Sequence, residues 1–163
     1  MIDTTSFKQT LAHFTAGVTI ITTLYENQPI GITATAFTSL SMEPPLILVN
    51  LSKGLFTHQA VSESGVFAVN LLSSTQKELG MRFAGMIPNV ADRFAGVKTE
   101  TAVTGCPLLK ESLGWLDCRT WAAYDGGDHT IFVGKVVAAH AANDGTPLVY
   151  HNRQWQQTAA LNE

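Results

Sequence analysis

The chain has 163 residues, of which 45% are apolar and 14% are charged. This length and composition predict one globular domain over residues 1–163 and exclude a disordered chain. The net charge of -3 at pH 7 creates no field that would attract nucleic acid or an anionic membrane, so we expect neither as a partner. The low charged fraction also suggests that some surface is buried in a subunit interface.

Cysteine and histidine spacing gives no sign of a metal site. Cys106 and Cys118 lie in no CxxC or Cys/His arrangement, and the simplest interpretation is two small buried side chains. The first ten residues contain no apolar signal segment, and no apolar run reaches the roughly 20 residues that a membrane helix needs. These features predict a cytoplasmic protein without a bound metal.

The first half of the chain begins with a predicted helix. Ser6 and Gln9 match a capping box, and apolar residues at helical spacing extend the helix to about Gly17. A second capping box, Ser73 with Gln76, predicts a helix that ends near Phe83. Apolar and β-branched runs predict strands at Val18–Tyr25, Ile30–Ala34, Leu46–Leu51 and Val66–Leu72, with a short helix at Thr57–Ser62.

The second half of the chain starts with a long predicted loop, Gly85–Pro107. Strands are predicted at Leu113–Tyr124, Thr130–His140, Pro147–Tyr150 and Gln154–Thr158, with a turn at Gly126–Gly127 between the first two. Short strands outnumber the helices throughout. The sequence therefore predicts a mainly β fold, a closed or nearly closed antiparallel barrel with peripheral helices.

Several common site motifs are missing from the sequence. No GxGxxG follows a strand, and the chain contains no P-loop, HExxH or GxSxG. A dinucleotide or flavin site would therefore need a different backbone cradle.

Two segments could form such a cradle. Gly31–Ser39 alternates small and hydroxyl residues, which would let a flat ligand approach the backbone; the alternative is an edge strand with solvated threonines. Asn50–Gly54 leads a strand into a helix and carries one lysine, a pattern suited to phosphate. The alternative is an ordinary polar loop.

Two further segments carry charged side chains beside glycine. Arg82–Gly85 and Asp92–Gly96 each combine arginine, phenylalanine and glycine, which suits phosphate and ring contacts; the alternatives are a helix-terminal cation and a salt bridge. Gly126–Thr130 presents an acid and a histidine that could contact a ligand, or could simply close a turn.

Taken in order, these segments resemble the short-chain flavin reductase family, the split-barrel reductase components of two-component flavin-dependent monooxygenases. The resemblance covers nearly the whole chain. Each short motif is weak evidence by itself, but the motifs together, in this order, are specific for the family. The matching segments include Gly17–Thr19, Gly31–Ser39, Pro44–Leu46, Thr57–His58, Ser64–Leu72, Arg82–Gly85, Asp92–Phe94, Leu116–Cys118, Gly127–Gly134 and Pro147–Tyr150.

The resemblance implies an FMN-binding split β-barrel with Greek-key connections that forms a homodimer. It implies NAD(P)H-dependent reduction of FMN or FAD, with NADH or NADPH as co-substrate, and delivery of reduced flavin to a partner monooxygenase. The alternative is a flavin-binding carrier or sensor of the same fold without turnover. In such an enzyme the flavin performs the chemistry, so no strong acid–base pair is expected.

The resemblance also implies roles for individual residues. The flavin ring edge would be lined by Thr33, Ala34, Thr35 and Ala36. Ribityl or phosphate groups would be held by Ser39, Ser52, Lys53 and Thr57, with Asn50 beside them. Phe83, Ala84, Gly85 and Arg93 would complete the pocket, and His129 and Tyr150 would lie near the nicotinamide, with His129 orienting it. The chain departs from the family at Gly54–Phe56, where a serine-rich run is usual. The preference between FMN and FAD therefore stays open.

Overall fold

A computed structural model describes residues 2–161. These residues form the helices α1 (Thr4–Ala12), α2 (Phe56–Ser64) and α3 (Lys77–Phe83), and a 3-10 turn at Ser74–Gln76 precedes α3. The strands are β1 (Ala16–Gly17), β2 (Thr19–Tyr25), β3 (Gln28–Ala34), β4 (Phe37–Ser41), β5 (Leu46–Ser52), β6 (Val66–Leu71), β7 (Thr99–Glu100), β8 (Leu108–Leu109), β9 (Gly114–Gly126), β10 (His129–Ala141), β11 (Leu148–His151) and β12 (Gln154–Gln157). The predicted mainly β fold is confirmed.

The large sheet is antiparallel and has the strand order β3–β2–β6–β9–β10–β5–β4. Its two edge strands, β3 and β4, are consecutive in the chain and are joined by Thr35 and Ala36 alone. Because a chain extends at most about 3.6 Å per residue, the ends of these two edges lie within roughly 11 Å of each other. The sheet is therefore rolled so that its edges meet at one corner and stay unpaired elsewhere, as a split barrel requires. We call residues 33–36 the barrel corner.

Helix α2 connects two strands that are not neighbours. It carries the chain from β5 to β6, three places away in the sheet, as a Greek-key connection does. The crossing places α2 over the barrel, where Ala60 and Val61 of the helix are fully buried. The N-terminus of α2 therefore has a fixed position relative to the end of β5.

The barrel interior is filled by alternate residues of its strands. Along β5, Ile47, Val49 and Leu51 are buried and the residues between them are partly exposed, which is the period of two expected for a strand with one face in a core. They pack with Phe67 and Phe132, which are almost completely buried. The apolar run that predicted β5 from the sequence therefore supplies residues that fill the barrel.

A second core lies outside the barrel, on the opposite face of β2. Ile21 packs in the barrel interior, whereas the adjacent Ile20 packs with Leu72, Phe83 and Leu148. This second core joins α3 and the small sheet of β1, β11 and β12 to the barrel. It places α3 next to the barrel corner, where the Thr33 hydroxyl donates to the Gly80 carbonyl in the middle of the helix at 2.6 Å.

The N-terminal helix differs from the sequence prediction. The N-cap is Asp3, whose carboxylate accepts from the backbone N–H groups of Thr5 (3.2 Å) and Ser6 (2.9 Å), so the predicted capping box at Ser6 and Gln9 is wrong. The helix ends at Ala12 rather than near Gly17, because residues 16–17 pair with β11 instead. The capping box at Ser73 and Gln76 is confirmed.

Strand β4 is not predicted by the sequence pattern, because its residues are mainly polar and it pairs only with β5 at the sheet edge. The segment predicted as loop, Gly85–Pro107, is irregular except for β7, which pairs with β8. The long connection is fixed to the barrel by the buried carboxylate of Asp117. It accepts from the backbone N–H groups of Val103 (2.8 Å) and Thr104 (2.9 Å).

The cysteines are free and buried, as predicted. Burial raises the pKa of the Cys106 thiol to about 11 and that of Cys118 to about 12, so both stay protonated at neutral pH. Among residues 2–161, no three histidine, cysteine or carboxylate side chains are grouped to hold a metal ion. No helix in the same range is long and apolar enough to cross a membrane.

Candidate functional site

The barrel corner presents unused backbone donors to solvent. Its carbonyls are occupied: Ala34 accepts from the Thr19 hydroxyl at 2.7 Å, and Thr35 and Ala36 accept from backbone N–H groups at 3.0 Å. The N–H groups of Thr35 and Ala36, which are both exposed residues, donate to no acceptor within residues 2–161. A planar ligand with acceptor atoms along one edge would satisfy these two donors.

A small pocket of about 160 Å³ adjoins the corner. It brings together five residues that the resemblance assigned to the site, namely Thr33, Ala34, Thr35, Ala84 and Tyr150. The Tyr150 ring is held edge-to-face against Trp155, with ring centroids 5.3 Å apart. The lining is completed by Val18, which lies in the matching segment Gly17–Thr19, and by Trp155 and Met86. Sequence reasoning missed the last two because they carry no motif, and only the positions of β12 and of the end of α3 place them here.

A larger cavity of about 530 Å³ shares Ala84 with the small pocket and extends along β3 to α2. Of the predicted residues it is lined by Thr57, Phe83, Ala84 and Arg93. Phe83 is fully buried and packs edge-to-face on Phe94, with ring centroids 4.9 Å apart. Its ring therefore forms the floor of the cavity. The two pockets form adjoining spaces around Ala84, between the barrel corner and α2.

The end of the larger cavity at α2 is suited to an anion. The N-cap of α2, Leu55, makes no side-chain capping hydrogen bond, so the positive end of the helix dipole is not offset there. Thr57 is only 4% exposed, lines the cavity, and its hydroxyl makes no hydrogen bond with any described residue. Both features leave donors available to a phosphate.

Arg93 borders the same cavity but also has a structural role. Its Nη1 donates to the carbonyl oxygens of Phe83 (3.1 Å) and Gly31 (3.3 Å), which ties the end of α3 to β3. Gly85 follows that helix end at a positive φ of 73° and does not line either pocket. The guanidinium therefore both fixes the wall of the cavity and contributes positive charge to it.

Asn50 and Ser52 lie on β5, beside the corner but outside both pockets. The backbone N–H of Asn50 donates to the Ala36 carbonyl at 3.0 Å. The side-chain Oδ1 of Asn50 is buried and accepts no hydrogen bond from the described residues. Ser52 pairs across the sheet with His129. Ser39 is exposed on β4, opposite Ile47, and is not brought into the pockets.

Lys53 contacts the β9–β10 hairpin and lines neither pocket described above. Its ammonium donates to the Asp125 carboxylate and to the Gly127 carbonyl, the latter at 2.6 Å. The hydrogen bond from Lys53 lowers the pKa of Asp125. The sequence analysis did not single out Asp125, which lies 72 residues from Lys53 in the chain.

His129 begins β10, and its side chain is partly exposed. Its Nδ1 lies 2.7 Å from Oδ1 of Asp128. The hydrogen bond from His129 lowers the pKa of Asp128, so this carboxylate is ionised at neutral pH and accepts from Nδ1–H. That contact orients the imidazole and leaves Nε2 free for a ligand.

The comparisons with known proteins agree with this geometry. A model of the flavin reductase-like domain family matches residues 11–159. The chain belongs to the flavin reductase-like domain family.

Individual relatives are similar over most of the chain. The reductase component of 4-nitrophenol 4-monooxygenase/4-nitrocatechol 2-monooxygenase from Rhodococcus opacus is 38% identical, covering 99% of this chain and 90% of that protein. The NADH-dependent FMN reductase SmoA from Agrobacterium fabrum is 39% identical, and the match covers 89% of this chain and 80% of that protein. The solved structure of the Streptomyces globisporus NADH:FAD oxidoreductase in complex with NAD and FAD fragments superposes with a TM-score of 0.88 at 30% identity, covering 96% and 93%.

Proposed function

We propose that this protein is an NAD(P)H:flavin oxidoreductase that reduces FMN or FAD and supplies the reduced flavin to a partner monooxygenase. The observation that carries the proposal is the barrel corner, where two exposed backbone donors adjoin a small pocket. The neighbouring larger cavity leads from there to the uncapped N-terminus of α2. The names of the relatives support the same activity, since they include an NADH-dependent FMN reductase and a monooxygenase reductase component.

The residues at the corner fit a flavin by the chemistry of their free groups. The N–H groups of Thr35 and Ala36 would donate to acceptor atoms on the ring edge, and the orphaned Oδ1 of Asn50 indicates a missing donor nearby. The N-terminus of α2, the Thr57 hydroxyl and Arg93 would hold the phosphate. When bound, the flavin supplies the hydride-accepting chemistry, and the protein supplies binding and orientation.

His129 would orient the nicotinamide. With Nδ1–H held by Asp128, a neutral imidazole presents Nε2 as an acceptor, which can take a hydrogen bond from the carboxamide of the nicotinamide. Alignment of the two rings is the main contribution that a protein makes to such a transfer. No proton transfer by a side chain is required for this role.

The activity is tested by NADH and NADPH oxidation in air, followed at 340 nm with added FMN or FAD. The expected result is flavin-dependent oxidation of at least one nicotinamide. Flavin binding, measured by quenched flavin fluorescence, without any nicotinamide oxidation would instead identify a carrier or sensor of the same fold.

The role of His129 is tested by His129→Ala. We expect kcat/KM for the nicotinamide to fall roughly tenfold or more, while the flavin dissociation constant changes little. The matched control is His140→Ala, because His140 is an exposed residue of the same strand at the opposite end. Equal losses of thermal stability and of both binding functions in His129→Ala would assign His129 a structural role.

We also propose that the protein is a cytoplasmic homodimer and that its flavin sites lie at or near the dimer interface. Large apolar side chains that are more than half exposed support an interface; they include Phe14, Met42, Trp121 and Tyr124. The two free, buried thiols are compatible with a reducing compartment.

A further inference from the structure

The β9–β10 hairpin carries His129, which pairs with Gly126 on β9 and with Ser52 on β5, but the side chains at the tip of the hairpin add no packing to this backbone pairing. Residues 123–128 are all exposed, and Gly126 ends β9. The turn is Gly127–Asp128, one residue later than the sequence predicted, with Gly127 at a positive φ of 79°. Glycines lower the cost of moving the backbone, and a turn without buried side chains is not fixed by packing. Beyond the strand pairing, any further restraint on the tip must come from side chains outside the hairpin.

Lys53 makes three contacts that surround this tip. Its ammonium contacts the Asp125 carboxylate before the turn and the Gly127 carbonyl within it, the second at 2.6 Å. Its backbone N–H donates to the Asp128 carbonyl at 3.0 Å, one residue before His129. The three acceptors belong to successive parts of the same short segment.

The charges around Lys53 do not favour a phosphate ligand. Asp125 neutralises the ammonium directly, and Asp128 adds a second carboxylate to the same turn. A phosphate placed on Lys53 would therefore meet two negative groups. The larger cavity, by contrast, offers the α2 N-terminus, Thr57 and Arg93, and Lys53 is not among its lining residues.

We propose that Lys53 and Asp125 are positioning residues, which fix the β9–β10 hairpin and thereby His129 against the turn between β5 and α2, and that Lys53 does not bind the flavin phosphate. This inference rests on the proposed function. It adds that a single lysine couples the segment beside the flavin phosphate to the segment that orients the nicotinamide.

The test uses Lys53→Met, Asp125→Asn and the conservative Lys53→Arg in the full chain. The first readout is amide hydrogen exchange of residues 125–129 in the ligand-free protein. We expect faster exchange there in Lys53→Met and Asp125→Asn, and exchange close to the wild-type rate in Lys53→Arg, which retains the charge and donors. The matched controls are Lys98→Met and Glu111→Gln, which break another exposed ion pair, 2.9 Å long, away from the hairpin.

The second readout separates the two ligands. We expect Lys53→Met and Asp125→Asn each to raise KM for the nicotinamide about three- to tenfold, because a displaced His129 orients it poorly. The double variant should be little worse than either single variant, since the two residues act through one contact. The dissociation constants for FMN and for riboflavin, which lacks the phosphate, should change little.

Two outcomes would overturn the inference. In the first, Lys53→Met weakens binding of FMN but not of riboflavin, and Asp125→Asn leaves FMN binding unchanged. That result would identify Lys53 as a phosphate ligand. Unchanged exchange and unchanged KM in both single variants would show an exposed ion pair without a positioning role. A wild-type protein that oxidises no nicotinamide would overturn the proposed function instead, and the exchange data would still report on the hairpin.

Discussion

At the scale of single residues, the site depends on side chains that have both a structural and a binding role. Phe83 and Arg93 were expected in the flavin pocket, yet the Phe83 ring is buried beneath the cavity and Arg93 donates to two backbone carbonyls. Gly31 lies between them, because its carbonyl accepts from Arg93 and its Cα faces the Phe83 ring. The shape of the cavity wall therefore depends on the absence of a side chain at Gly31.

Gly31→Ala should destabilise the protein. The new Cβ would lie 2.7 Å from Cε1 of Phe83 and 3.2 Å from Cζ of Phe94, and both rings are packed against each other. Overpacking of this kind costs about 1–3 kcal/mol, which urea unfolding measures.

The control for Gly31→Ala is Gly17→Ala. At Gly17 an added Cβ meets no atom within 4 Å, and the unfolding midpoint should stay close to that of the wild type. An unchanged midpoint in Gly31→Ala would mean that the Phe83 and Phe94 rings move apart at little cost, and that the cavity wall is more adaptable than the structure indicates.

At the scale of secondary structure, α1 is the one of the three helices that buries no residue. It has nine residues and buries none of them, and its apolar residues Phe7 and Leu11 are about half exposed. Isolated helices of this length are marginal in water, so α1 depends on its N-cap and on whatever covers its apolar residues. The homodimer proposed above provides one such cover.

The cap of α1 should make this helix sensitive to acid. Hydrogen bonds from Ser6, the backbone one first, hold the pKa of the Asp3 carboxyl below its ordinary value. A carboxyl with a lowered folded pKa stabilises the fold above its unfolded pKa, and that contribution is lost as the pH falls through the folded value. We therefore expect α1 to fray as the pH drops below about 4, seen in the amide NMR signal of Ser6.

Two substitutions separate the cap from its charge. Asp3→Asn retains an effective N-cap without a titrating group, so the Ser6 signal should lose its acid transition while the helix persists. Asp3→Ala should fray the helix at every pH. A wild-type transition that persists in Asp3→Asn would assign it to another carboxyl.

At the scale of the whole molecule, the rolled sheet creates the site. Thr35 and Ala36 join strands at opposite edges of a seven-stranded sheet, and although the Ala36 carbonyl accepts from Asn50 on β5, neither of their N–H groups donates to a neighbouring strand. That leaves their N–H groups free, and α3, β11 and β12 then close the pocket from the second core. The site is therefore a consequence of barrel closure and of the elements packed outside it.

The proposed homodimer predicts a defined mass. Sedimentation of the protein at micromolar concentration should give twice the 17.6 kDa of one chain, because the exposed apolar residues of α1 and β9 would be covered in the assembly. The measurement should be repeated with and without flavin, since sites near the interface would strengthen association on binding. A monomer under both conditions would contradict the proposal.

Periodicity and short motifs were enough to predict much of the fold. The apolar run of β5, the β-branched run of β2 and the capping box before α3 each report local structure, and local structure depends on residues that are near each other in the chain. The short motifs that follow one another from Gly31–Ser39 to Pro147–Tyr150 predicted the family, and the match of the family model over residues 11–159 confirms it. The strand β4 was missed because its polar residues show no apolar alternation.

The tertiary structure alone decided which distant residues meet. Lys53 contacts Asp125, Arg93 bonds to Gly31, and Thr33 bonds to Gly80, across separations of 72, 62 and 47 residues. Such pairs depend on strand order and on how the sheet closes, and a pattern of apolar and polar residues determines neither. The sequence by itself therefore determined most of the elements and the family, whereas the packing of those elements decided whether each polar side chain is free to bind a ligand.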